Sequence, residues 1–278
     1  MSVRTMHNSK RFPPTRRAFT LIELLVAISI IALLVAMLLP AIGAVRRNVQ
    51  IGNIRVEIKG LETALIKFKA DYGNSPPSYI NFTRTSGSLP ARTQAILRGI
   101  WPNMNLGHTS VTDFDGQILN GEDCLVFFLG GIRDGDAPTG FSTNPATPFV
   151  TGGNRKGPIF EFVNDRLDKT GTLYFPGYSD PYPGSKSAYV YLSSYEGRGY
   201  GHLGSDDSSL TEGYYVDSAK TVPYKQISFQ IISSGPDREH GTGGHYDADD
   251  PNTSLSGRDN ERDNITNFAA SGGTLASY

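Results

Sequence analysis

Only one cysteine, Cys124, occurs in this 278-residue chain, so no intrachain disulfide can form. The common catalytic signatures are missing as well: there is no Gly-x-Ser-x-Gly elbow, no Walker loop and no His-Glu-x-x-His helix. Gly199-x-Gly201-x-x-Gly204 has the spacing of a dinucleotide fingerprint, but Ser205-Asp206-Asp207-Ser208 stands where a helix would have to open, which excludes that reading. There is no internal repeat. Acids are absent before Glu23, and no residue from Leu24 to Val45 carries a charge. At 1.5 Å per residue that uncharged run makes a helix of about 33 Å, enough to cross a hydrocarbon core of about 30 Å. Basic residues lie on its N-terminal side, so the positive-inside rule places the N-terminus in the cytoplasm and everything after Arg47 outside.

Glu23 interrupts the apolar pattern between Ile22 and Leu24. A carboxylate near the hydrocarbon costs about 2.5–3.5 kcal/mol on insertion scales, so it needs a partner or an interfacial position. An ordinary secretory signal would predict a small-residue cleavage site after the apolar run. Ala41-Ile42-Gly43-Ala44 fits that loosely but accounts for neither Glu23 nor Phe19. Basic residues, a small residue, Phe19-Thr20-Leu21-Ile22-Glu23 and an apolar helix together resemble the class III signal of type IV pilins and type II secretion pseudopilins. The resemblance implies that a prepilin peptidase cuts between Ala18 and Phe19 on the cytoplasmic side and methylates the new N-terminus. Ala18 stands where the family nearly always has Gly. Glu23 becomes the fifth mature residue, which in the family pairs with the N-terminal amine of a neighbouring subunit during assembly. An ammonium on Phe19 is a fitting counter-charge for a membrane carboxylate. Pro40 falls where the family often has a helix-loosening proline.

This reading divides the chain into a cleaved leader (1–18), a transmembrane and assembly helix (19–47) and an extracytoplasmic domain (48–278). The leader carries five of the 26 basic residues and none of the 27 acids, which leaves the mature chain at a formal −6. That balance argues against nucleic acid as the main partner, because phosphate binding wants a basic face. Roughly 200 residues beyond the helix suffice for one domain with its own core. Ile51, Ile54, Ile58, Leu61, Leu65, Phe68 and Tyr72 alternate steps of three and four, an apolar stripe that predicts a core-facing continuation of the helix to Tyr72, with Arg55, Glu57, Lys59, Glu62 and Lys67 off the stripe. Gly73-Asn74 and Pro76-Pro77 end it. Leu89–Arg98 reads as a short helix. Glu122–Leu129, with Asn120 as a cap, reads as a helix or a buried strand. Residues 135–157 read as a long surface loop. Ile159–Val163, Thr172–Phe175, Ala188–Leu192 and Ile227–Ser233 read as strands. The predicted class is therefore α+β: a pilin-like fold whose long N-terminal helix packs on a small antiparallel sheet with long loops.

Between Ser234 and Asp263 stand eight acids against three arginines, interleaved with Gly235, Gly241, Gly243 and Gly244. Calcium wants six to eight oxygens from a flexible loop, and Asp237 with Asp247-x-Asp249 offers three carboxylates. The EF-hand spacing is absent, and composition alone equally fits a solvated acidic loop. Ser233-Ser234-Gly235-Pro236-Asp237, then Gly243-Gly244, then Asp247-Ala248-Asp249 resembles the calcium loop of major pseudopilins. Asp180-Pro181-Tyr182-Pro183 before Tyr189-Val190-Tyr191 similarly resembles their turn-and-strand. The resemblance implies side chains of Asp237, Asp247 and Asp249, and the Ser234 carbonyl, as ligands. In a second register Asp263-Asn264-Ile265-Thr266-Asn267-Phe268 closes the loop and Asp263 is a ligand. His240 and His245 alone, without cysteines, make a poor zinc site.

The function expected from these readings is a structural one, not an enzyme: a single-pass inner-membrane subunit of a type II secretion pseudopilus or type IV pilus-like filament, with prepilin peptidase and further pilin-like subunits as partners. The alternatives are a minor pilin for DNA uptake or adhesion, and a membrane-tethered hydrolase built on the acidic loop and His240 or His245, which lacks a visible nucleophile–base pair.

Overall fold

In the computed structural model the described residues are 19–135, 137–167, 177–198, 200, 212–269 and 273–276. The leader with Ala18, the strand expected at 172–175 and most of the Gly199–Gly204 spacing lie outside them. The chain divides into two units, residues 1–46 and 47–278. Helix α1 (Leu21–Tyr72) ends where the Gly73 N–H closes on the Lys69 carbonyl at 2.8 Å. Three further α-helices precede the strand-rich half: α2 (Ala91–Ile100), α3 (Thr109–Thr112) and α4 (Gly121–Gly130).

Within the second unit the apolar stripe of α1 faces inward as its spacing demands. Ile54, Ile58, Leu61, Leu65 and Phe68 are buried, and Tyr72 packs against the same core. They meet α4, a helix buried along nearly its whole length. Asn120 and Asp123 form a capping box that starts α4: the Asp123 N–H donates to the Asn120 side chain at 3.1 Å, and the Asn120 N–H to the Asp123 carboxylate at 3.2 Å. This cap decides for helix over strand in the ambiguous apolar run. Gly121 is required there, because a Cβ would sit 1.9 Å from the Tyr191 carbonyl oxygen. Aromatic rings fill the space beyond: Phe68 lies edge-on to Phe128 at 5.7 Å, and Trp101 edge-on to Phe141 at 4.9 Å and Phe149 at 5.3 Å.

The strands are short. β1 (Ile80–Asn81) pairs with β2 (Ile118–Leu119), β3 (Arg133–Asp134) with β4 (Ala137–Pro138), and β5 (Phe141–Ser142) with β6 (Arg155–Lys156), all antiparallel. Five more follow: β7 (Val190–Ser193), β8 (Tyr214–Tyr215), β9 (Phe229–Ser233), β10 (Gly244–His245) and β11 (Ile265–Thr266). The main sheet is antiparallel in the order β11-β9-β7, with Val190 opposite Ile232 and Ile265 opposite Ser233; β8 and β10 form a parallel pair. Val190 and Ile232 point into a second apolar cluster with Tyr214, Tyr246 and Leu255, while Tyr191 and Ile231 point into the first. The arrangement is the α+β class the sequence predicts: a long N-terminal helix followed by small, mostly antiparallel sheets and loops.

Two expectations need correction. Residues 135–157 are not a surface loop throughout. Phe141 and Phe149 are each 2% exposed, and the Arg155 guanidinium binds the carbonyls of Thr139, Gly140 and Val150 at 3.0, 2.6 and 2.7 Å. A Gly- and Pro-rich composition hides two aromatic anchors and an internal clasp. Ile159–Val163 is not a strand either, because the Ile159 and Phe160 N–H groups both turn to the Leu129 carbonyl at the end of α4 (2.8 and 3.3 Å) and leave no ladder to form.

The off-stripe face of α1 is also engaged. The Glu57 carboxylate accepts from Arg166 on both oxygens, from the Tyr178 hydroxyl at 2.9 Å and from the Tyr189 hydroxyl at 2.8 Å. Asn267 donates to Glu62 at 3.0 Å. Within the second unit, the part of α1 from residue 47 onward is thus held by a core stripe and by two acids beside it.

Candidate functional site

The N-terminal site is built on one helix turn. The Thr20 N–H and hydroxyl each donate to the Glu23 carboxylate at 2.9 Å, and the Glu23 N–H donates back to the Thr20 hydroxyl at 3.2 Å. This reciprocal capping box satisfies two of the helix's open N–H groups. The Thr-x-x-Glu pattern that encodes it stands in the sequence beside the charge anomaly, which drew attention to Glu23 alone. Among the described residues every hydrogen bond to the Glu23 side chain comes from Thr20. Phe19 is fully presented to solvent at 84% exposure. Within this first unit the apolar side chains described between Leu21 and Val45 are exposed, on a helix long and apolar enough to cross a membrane. Polar atoms inside the run are satisfied internally, as lipid requires: the Ser29 hydroxyl donates to the Leu25 carbonyl at 2.8 Å.

The C-terminal loop brings two of the expected ligands together. The Asp237 N–H donates to the Asp263 carboxylate at 2.8 Å, and Asp263 is buried. Burial, with the Asp263 charge beside it, raises the Asp237 carboxyl to about 6. Asp247 and Asp249 instead form a turn of their own, in which the Asp249 N–H donates to the Asp247 carboxylate at 2.9 Å. Among the described residues no group of three or more Asp, Glu, His or Cys side chains is arranged to hold a metal ion. Ser234 is buried, and its hydroxyl, with that of Ser233, donates to Asp180 at 3.4 and 2.7 Å. Burial pushes the Asp180 carboxyl above its ordinary value.

The centre of the loop is held by a cation the chain carries itself. Glu261, fully buried, accepts from both Arg258 Nε (2.9 Å) and the other end of that guanidinium, from the Tyr214 hydroxyl (2.7 Å) and from the Thr242 N–H (2.9 Å). Arg258 also reaches the His245 carbonyl at 2.6 Å. Gly241, at φ +73°, must be glycine: a Cβ would lie 2.3 Å from the Glu261 side chain. The signal for this pair is an arginine three residues before an acid. Composition counted both as members of an acidic loop. His240 is buried, its Nε2 has no hydrogen-bond partner among the described residues, and burial lowers its pKa to about 4.

A family model described as the prokaryotic N-terminal methylation motif matches residues 14–39. Neither a curated protein nor a solved structure matches the chain. The matched stretch includes Ala18 and Phe19, the Thr20–Glu23 cap and most of the apolar run. It marks a type IV pilin-like signal, of the kind a prepilin peptidase processes, on a helix long and apolar enough to cross a membrane.

Proposed function

We propose that the mature chain begins at Phe19 and is a structural subunit of a type II secretion pseudopilus or type IV pilus-like filament. It is anchored once in the inner membrane, with residues 48–278 outside the cytoplasm. The observation that carries this reading is Glu23. It heads an exposed apolar helix, and its only hydrogen-bond donor among the described residues is the neighbouring Thr20, an arrangement that leaves room for an ammonium from another subunit. A carboxylate in that position gains most from a counter-charge that arrives in the membrane with it. Calcium is the proposed ligand of the C-terminal loop. The closeness of Asp237 and Asp263 supports the register that includes Asp263, with the Ser234 carbonyl nearby in sequence and Asp247 and Asp249 recruited from the adjoining turn. Two acidic residues held side by side supply oxygens of the kind a hard divalent ion takes.

The test is Glu23→Val in the full-length chain, expressed with its own assembly machinery. The variant is expected to insert and be processed, since it removes a membrane carboxylate, and to be missing from sheared or cross-linked filaments. Incorporation at the wild-type level would refute the electrostatic role.

A further inference from the structure

A cleft of about 330 Å³ opens between the end of α1, helix α2 and the turn that follows β7. Its size falls in the range of small-ligand sites. Pro77, Ile96 and Ile100 give it an apolar floor, and Arg92 and Arg198 flank it. The turn is built with care. Tyr195, Glu196 and Gly197 all have left-handed backbone (φ +49°, +61° and +86°), a run that only surrounding contacts can hold for the two residues with side chains. Those contacts are present. The Tyr195 N–H donates to the Ser193 hydroxyl at 3.3 Å and the Gly197 N–H to the Ser194 hydroxyl at 3.3 Å, while the Tyr195 hydroxyl accepts from the Ser78 N–H at 3.1 Å. Glu196, the acid at the cleft, is already neutralised: Lys69 binds it at 2.5 Å and the Ser75 hydroxyl at 2.9 Å. Arg92 lies over the Tyr195 ring, 5.2 Å from its centroid. Among the described residues neither Arg92 nor Arg198 has a carboxylate within ion-pair distance.

We propose that this cleft binds a peptide that presents a carboxylate beside an apolar side chain. Two guanidiniums that line the cleft and have no carboxylate partner among the described residues match the planar, two-oxygen shape of a carboxylate. The aliphatic floor suits the neighbouring side chain. The pinned turn fixes the Tyr195 ring under Arg92 before the ligand arrives, which lowers the ordering cost of binding. The site does not involve Glu23 or the acidic loop, so it stands apart from the assembly reading.

The experiment is fluorescence anisotropy of labelled hexapeptides against the full mature chain in detergent micelles. One peptide carries an internal Leu-Asp pair and an amidated end. A second carries Leu-Asn and ends in leucine with a free carboxylate. A third, neutral, carries Leu-Asn and an amidated end. At least one carboxylate peptide is expected to bind about tenfold or more tighter than the neutral one, the gain of one charge-assisted bond. Comparison of the first two decides between side-chain and terminal carboxylate. Arg92→Gln and Arg198→Gln should each weaken binding about tenfold, and a rise in salt from about 0.05 to 0.5 M should weaken it too. Ala95→Trp, at an exposed position of α2 lining the cleft, should block it with the thermal midpoint unchanged. Equal binding of the neutral peptide, binding that ignores both arginine variants and Ala95→Trp, or no binding of any peptide would overturn the proposal.

Discussion

Glu57→Ala puts a number on what holds α1 to its domain. The carboxylate is 16% exposed and Arg166 19%, and the Tyr178 and Tyr189 hydroxyls that share it belong to fully buried rings. Truncation leaves a largely desolvated guanidinium and two hydroxyls without their acceptor. Breaking a buried pair from one side costs about 3–5 kcal/mol, and a lost acceptor about 1–3 kcal/mol per group. Water reaches this partly open site and can take the place of the lost acceptor at the two hydroxyls, so the lower part of the pair cost alone applies, about 3–4 kcal/mol. For a domain of this size each kcal/mol moves the midpoint by about 2–4 °C, which gives a drop of roughly 6–16 °C. Glu57→Gln keeps the shape and one acceptor and should cost about half as much. The assay is thermal unfolding of the mature chain in detergent, followed by circular dichroism. Lys59→Ala, at an exposed position on the same helix, serves as control, expected within about 0.5 kcal/mol of wild type. The combined Glu57→Ala, Arg166→Ala variant should be less destabilised than the sum of the two single changes. A Glu57→Ala midpoint no lower than that of the control would refute the reasoning.

Calcium should raise the midpoint. At free calcium a hundredfold above the dissociation constant the gain is about 2.7 kcal/mol. Magnesium should give less, and Asp237→Ala and Asp263→Ala should each abolish the rise; a midpoint that ignores calcium disposes of the site. Asp249→Ala then tells whether the Asp247–Asp249 turn joins the site. Acid should destabilise the domain through His240: burial holds its folded pKa at about 4, below the ordinary histidine value of about 6.5, so its contribution is full above pH 6.5 and is lost as pH falls. From pH 7 to pH 5 that loss is about 2 kcal/mol, whereas Asp237, shifted upward, works the other way. Urea unfolding of His240→Gln should therefore show a shallower pH dependence than wild type, and an identical one would contradict the burial argument.

Much of the helix was legible in the sequence because its signals are local and periodic. The three-and-four spacing from Ile51 to Tyr72 placed every stripe residue against the core, and Asn120 announced the start of α4. The contacts of the polar face of the same helix are not legible, because Glu57 meets Arg166, more than a hundred residues away, and no local pattern records that. Phe141 and Phe149 were lost for a related reason: isolated aromatics in a Gly- and Pro-rich stretch have no periodicity, yet they fill the space beside Trp101. At the candidate site Phe19 and Glu23 stood out through a motif. In the C-terminal loop the acids were countable but their pairing was not, and Arg258 with Glu261 took the central place among them.

Everything proposed for the N-terminal helix depends on cleavage between Ala18 and Phe19. Mass spectrometry of the N-terminal peptide from native membranes tests it most directly, with Ala18→Gly as a companion that should be processed at least as fast. The expected mature peptide begins at Phe19 and carries an N-methyl group. A peptide that still begins upstream of Phe19, or one that begins after Ala44, would contradict it.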